Sequence, residues 1–178
     1  NYAYEVMTYA VASSAPENIR KAARAAQTIA RKAGVFGMVG GQSLDVWLTD
    51  KPMNESELDF IFNLKTGALI EAAFMAGGIL AGAGEIVVEK LEKAGNLVGV
   101  AFQIKDDILD VTSTQEVLGK PVFSDEKNNK TTYVTLYGME RASSGVARMS
   151  EAAKKLVKEI GDNPFLVELI NKLINREK

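Results

Sequence analysis

The chain has 178 residues, 47% hydrophobic and 25% charged, with a formal net charge of −2, no cysteine and no histidine. That composition predicts an ordered globular fold, and the length suffices to bury roughly 70% of the surface an unfolded chain exposes. Disulfides, thiolate zinc sites, cysteine nucleophiles, Ser-His-Asp triads and imidazole bases are excluded, so any chemistry rests on carboxylates, lysines, amides, hydroxyls or a bound metal. A net charge this small gives no reason to expect a nucleic-acid partner, which needs a basic surface for phosphate contacts.

Helical signals run along the chain. Residues 1–12 place Ala3, Val6, Met7 and Ala10 on one stripe. Pro16-Glu17 opens a second helix, in which Ile19, Ala22, Ala23, Ala26, Ile29 and Ala30 recur at helical spacing before Gly34 ends the run. A third helix is expected over Val35 to Leu48 despite Gly37, Gly40 and Gly41. Each glycine weakens a helix by about 1 kcal/mol relative to alanine, which points to another backbone packed close by.

Asp50-Lys51-Pro52 breaks the chain, and an apolar helix follows from Glu55 to about Ala83, with a kink expected at Lys65-Thr66-Gly67. Its uncharged stretch, Ala72 to Gly84, is shorter than the roughly 20 apolar residues a membrane span needs and reads as a buried helix. Residues 1–9 carry no targeting signal, so a cytoplasmic protein without a membrane span is expected. Glu85 to Val111 forms the next helix, and the polar segment Leu118 to Thr131 reads as a loop. A short helix near Tyr133 to Tyr137, one from about Glu140 to Ile160 and one from Pro164 to Asn175 complete an all-α chain of long helices. Tyr2, Tyr4, Met7, Tyr9, Phe60, Phe62, Phe74 and Met75 are read mainly as core.

The strongest local feature is Phe102-Gln103-Ile104-Lys105-Asp106-Asp107-Ile108-Leu109-Asp110. On a helix, Asp106 and Asp110 stand one turn apart on a face that also carries Gln103. Like charges at that spacing repel, and unpaired carboxylates are costly to bury in an apolar helix. A hard divalent cation resolves both problems, and two carboxylates suit Mg²⁺, which takes waters and phosphate oxygens for its other positions. A solvated acidic helix end with Lys105 as a partner fits the same pattern. Lys65, Lys120 and Lys130 lie where helices bend or end, and lysine suits phosphate as a compact charge with three donors. Gln42 and Asp45 share one face of the glycine-containing helix, either at a site or at an ordinary helix contact.

Five ordered segments resemble the C-terminal half of a trans-polyprenyl diphosphate synthase of the farnesyl or geranylgeranyl type. They are Gly40-Gly41-Gln42-Ser43-Leu44-Asp45, Lys65-Thr66-Gly67-Ala68-Leu69-Ile70, the aspartate run at 102–110, Leu118-Gly119-Lys120-Pro121, and Ser124-Asp125-Glu126-Lys127-Asn128-Asn129-Lys130-Thr131-Thr132-Tyr133. The aspartate run corresponds to that family's second aspartate-rich motif.

The resemblance implies an all-α isoprenoid-synthase-type bundle of long helices, truncated at its N-terminal side, with residues 1–178 forming the C-terminal part of one synthase domain. It implies a homodimer or other self-association. The implied reaction joins isopentenyl diphosphate to an allylic diphosphate. Mg²⁺ draws off the diphosphate, the resulting allylic cation is attacked by the isopentenyl double bond, and a proton is lost. Asp106 and Asp110 would hold one Mg²⁺, with Asp107 supporting. Lys65 and Lys120 would contact the diphosphate, Lys130 would help close the site, and Gln42 and Asp45 would assist binding. Thr66, the Lys65 carbonyl and the Gln103 amide would turn negative dipole ends toward the cation. The family's first aspartate-rich motif has no counterpart here, so the chain alone is expected to be a fragment with little or no synthase activity. The alternative is a non-catalytic diphosphate-binding or dimerisation subunit of the same fold. A terpene cyclase matches Lys65-Thr66-Gly67 and Gly119-Lys120 less well.

Overall fold

The computed structural model describes residues 1–113 and 131–176. In chain order its helices are α1 (Tyr2–Ala12), α2 (Ile19–Ala33), α3 (Met38–Trp47) and α4 (Glu55–Ile61). A π-helical turn (Phe62–Gly67) then leads into α5 (Ala68–Leu80), α6 (Glu85–Thr112), α7 (Tyr133–Tyr137), α8 (Met139–Ile160) and α9 (Pro164–Ile174). Among the described residues there is no strand, in agreement with the all-α expectation.

Local chemistry sets several helix ends. α4 starts at a capping box, in which Asn54 accepts from the Glu57 amide while the Glu57 carboxylate accepts from the Asn54 amide. The Asn163 side chain caps α9 through the Leu166 amide, and Pro164 takes the first helical position. α5 stops at Leu80 because Gly82 adopts φ +82°, with Ala83 N–H bonded to the Gly78 carbonyl and Gly82 N–H to that of Ile79. Pro16 lies in a turn before α2 and does not open it, since the Ala15 carbonyl accepts from both Asn18 and Ile19.

α6 is the axis of the core. Its Ala94, Val98, Ala101, Ile104 and Ile108 meet Leu58 and Ile61 of α4, Phe62, Ala142, Val146, Ala153 and Val157 of α8, and Ile170 and Ile174 of α9. A smaller cluster joins Ala25 of α2, Ala76 and Ile79 of α5, and Val88 of α6. Several aromatic residues expected in the core lie outside it. Tyr2, Tyr4, Tyr9 and Phe60 are exposed, because α1 buries no residue and Phe60 sits on the outer side of α4, whereas Phe62 is buried. The helical run Glu55–Leu80 is long and apolar enough to cross a membrane by length and composition alone. Here it supplies the core through Leu58, Ile61, Phe62, Ala68, Ala72, Ala76 and Ile79 and carries Glu71 inward, the pattern of a core helix.

The interruption at Lys65-Thr66-Gly67 is a π turn, where the sequence predicted a kink. Buried positions step from Phe62 to Gly67, five residues, where an α-helix would step three or four. The wider turn keeps α4 and α5 facing the same core and pushes Asn63, Lys65 and Thr66 against their neighbours. Glycines make room for it. A Cβ at Gly41 of α3 would lie 2.4 Å from the Lys65 nitrogen, and one at Gly99 of α6 would lie 2.5 Å from the Gly67 Cα. The close backbone approach expected for the α3 glycines therefore occurs at Gly41. At Gly37 and Gly40 the nearest atoms are the carbonyl oxygens of Lys32 and Val35, just upstream in the chain.

Candidate active site

The π turn and the C-terminal half of α6 bring the sequence-predicted residues together in two groups. In the first, the Thr66 hydroxyl donates to the Gln103 side-chain oxygen at 2.9 Å, which leaves the hydroxyl's lone pairs directed away from that bond. Lys65 Nζ donates to Asp45 Oδ2 at 2.6 Å, joining the π turn to α3. Asp45 thus meets Lys65, whereas Gln42 lines an open depression of about 470 Å³ with Met38, Val39, Ser43 and Val46.

The second group is the α6 carboxylates. Asp106 forms an ion pair with Arg176, just past α9, and Asp107 accepts the Tyr133 amide at 2.7 Å. Asp110 is only 2% exposed. Lys120 and Lys130 lie outside the described residues.

Among the described residues, no group of three or more Asp and Glu side chains is placed to hold a metal. The donor chemistry nonetheless fits Mg²⁺, which is commonly bound through one or two carboxylates, its other positions going to waters and substrate phosphates. Asp106 and Asp110, one turn apart on α6, are hard oxygen donors of that kind. Asp107, between them in sequence, accepts the Tyr133 amide in the first turn of α7. Tyr133 links that turn back to the π turn, its ring stacked on Phe62 with centroids 6.5 Å apart.

A buried polar network supports the π turn from behind, and sequence reasoning missed it. Asn96 of α6 donates to Asn63 Oδ1 at 2.8 Å and to Glu71 Oε1 at 2.7 Å. Lys32 of α2 pairs with Glu71 and, at 2.6 Å, with Glu92. Burial works against the charge on Lys32, but the hydrogen bonds to Glu71 and Glu92 and their negative charges outweigh it and raise its pKa above the ordinary 10.5. The only sequence signal for this network was Glu71 standing at the edge of an uncharged stretch.

Arg176 was missed as well. Its guanidinium lies 3.5 Å from the Phe102 ring centroid and donates to the Phe102 carbonyl at 3.2 Å, besides pairing with Asp106. Its Nε is buried with no hydrogen-bond partner among the described residues, which costs about 1–3 kcal/mol.

A family model described as polyprenyl synthetase matches residues 3–170. The chain belongs to the polyprenyl synthetase family. It is 36% identical over 154 residues to the farnesyl diphosphate synthase of Geobacillus stearothermophilus, covering 86% of this chain and 51% of the relative. It is 33% identical over 181 residues to a heterodimeric geranylgeranyl pyrophosphate synthase large subunit of Arabidopsis thaliana, covering 99% of this chain and 47% of that one. A geranyltransferase of Helicobacter pylori, solved with magnesium and isoprenyl diphosphate, superimposes with a TM-score of 0.79 at 28% identity, over 98% of this chain and 56% of that one. The chain thus spans about half the length of these relatives.

Proposed function

We infer that this chain supplies the diphosphate-releasing part of a prenyl transferase that joins isopentenyl diphosphate to an allylic diphosphate. The observation that carries this reading is the π turn, which bonds Thr66 to Gln103 of α6, one turn before Asp106, and turns Lys65 to Asp45 of α3. The family membership and the farnesyl diphosphate synthase relative support it.

Asp106 and Asp110 would hold Mg²⁺, and Asp107 contributes indirectly by fixing the Tyr133 amide. Bound there, Mg²⁺ supplies positive charge to the departing diphosphate oxygens. Lys65 exchanges Asp45 for a diphosphate oxygen, and Lys120 and Lys130 add charge to the same group. As the allylic C–O bond breaks, its electrons leave with the diphosphate. The lone pairs of Thr66 and the Gln103 side-chain oxygen would face the positive carbon left behind and lower its energy. The isopentenyl double bond closes the new C–C bond, and the proton lost from the product passes to the diphosphate.

Calorimetric titration with inorganic diphosphate tests the site. Binding is expected only with Mg²⁺ present and is expected to weaken at least about tenfold in Asp106→Ala, the loss of one charged contact. Equal binding by the wild type and Asp106→Ala overturns the assignment.

A second reading, a non-catalytic diphosphate-binding or dimerisation subunit, is favoured by one observation. Lys65 and Asp106 already hold partners inside the chain, Asp45 and Arg176. Mg²⁺-dependent diphosphate binding without release of diphosphate from an allylic substrate would favour it.

A further inference from the structure

We propose that Arg176 and a divalent cation are alternative occupants of the Asp106 carboxylate, so that the segment after α9 sets how tightly the α6 aspartates take a metal. The proposal rests on the reading of Asp106 as a cation ligand given above.

The guanidinium of Arg176 is held on one turn of α6 by three groups: the Phe102 ring at 3.5 Å, the Phe102 carbonyl at 3.2 Å and the Asp106 carboxylate. Its side chain is 18% exposed and that of Asp106 is 37% exposed, so solvent reaches the pair mainly from the carboxylate side. Arg176 therefore occupies, with a single positive charge, the carboxylate to which a divalent ion would bind. A metal on Asp106 places two further positive charges against a guanidinium that the ring and carbonyl keep close. Repulsion at such distances in a partly buried site is strong, and the carboxylate cannot compensate both cations.

The docked arginine is also incompletely satisfied. Its Nε is buried and without a hydrogen-bond partner among the described residues. Ring stacking and one neutral carbonyl are weak holds by comparison with an ionised partner, so the charge of Asp106 is the main restraint. Neutralising that charge with a metal removes the restraint and lets Nε reach water. Because linkage is reciprocal, the factor by which bound metal loosens Arg176 equals the factor by which Arg176 weakens metal binding.

Two measurements on the full chain test this. The first is titration with Mn²⁺, following the free-ion electron paramagnetic resonance signal, for the wild type, Arg176→Met and Asp106→Ala, with circular dichroism confirming helicity. Arg176→Met is expected to bind Mn²⁺ about tenfold more tightly than the wild type, within the usual range of coupling between two ligands. The second follows the Arg176 Nε–H signal by nuclear magnetic resonance during a Mg²⁺ titration, where it is expected to move to the position of a solvated arginine. If Asp106→Ala abolishes cation binding while Arg176→Met leaves affinity unchanged or weaker, the role of Arg176 is overturned and the metal site stands. An Arg176 signal that stays in place at saturating Mg²⁺ overturns it equally. If the wild type and Asp106→Ala bind cation alike, the metal site itself is overturned, and this proposal with it.

Discussion

Lys32 balances two carboxylates, Glu71 and Glu92, and the balance depends on burial. The Glu71 side chain is only 8% exposed, so removing its cation leaves a charge that water cannot reach. Lys32→Met is therefore expected to destabilise the fold by roughly 3 kcal/mol, the scale found when one partner of a buried pair is deleted. Adding Glu71→Gln should restore most of the loss, because the amide needs no counter-charge. The pH dependence has a definite sign. The folded pKa of Lys32 lies above its ordinary 10.5, so its contribution is complete below that value and is lost as pH rises through the raised one. Urea midpoints at about pH 9 and about pH 11 should show the gap between the wild type and Lys32→Met narrowing at the higher pH. A gap that stays the same at both pH values would show that Lys32 contributes by packing rather than charge.

At the scale of elements, the π turn is clamped between two backbones, and glycine sets the spacing. Gly99→Ala would put a methyl carbon 2.5 Å from the Gly67 Cα, and backbone on both sides leaves no flexible atom to give way. A loss of about 1–3 kcal/mol is expected, with weakened Mg²⁺-dependent diphosphate binding as Lys65 and Thr66 shift. Gly77→Ala, in the exposed part of α5 with nothing within 4 Å of its Cβ position, should instead stabilise by about 0.5–1 kcal/mol. Denaturant melts of the two variants check both signs, and equal effects would dismiss the clamp.

The same elements show what sequence can disclose. Helix order was legible because its signals are local: the break at Asp50-Lys51-Pro52, Pro164 at the start of the last helix, and apolar residues at helical spacing. The π turn was legible only as an interruption, since its five-residue step needs knowledge of which residues are buried. The aspartates of α6 could be seen as a pair because one helix carries them. The bonds of Asp106 to Arg176 and of Glu71 to Lys32 join residues 70 and 39 positions apart, and no spacing rule reaches across packed helices.

For the whole molecule, the open question is what covers its apolar surface. Tyr2 and Tyr9 on α1 are 77% and 74% exposed, Phe36 before α3 is 77% exposed, and Trp47 at its end is 70% exposed. Aromatic side chains bury large areas when they find a partner, and they are enriched at protein interfaces. The α3 depression lined by Met38, Val39 and Val46 adds apolar surface near Phe36 and Trp47 in the chain. In a purified solution the only available partner is another copy of the chain. Self-association is therefore expected, with a light-scattering mass above 19.2 kDa across a size-exclusion peak. Because apolar burial drives it, sulfate should strengthen the association, whereas an assembly held by surface ion pairs would loosen as salt rises. The double substitution Phe36→Ser and Trp47→Ser should lower the mass toward the monomer without loss of helicity, as neither side chain belongs to the buried clusters. A wild-type chain that remains monomeric in sulfate at tens of micromolar would show that these aromatics do not mediate self-association.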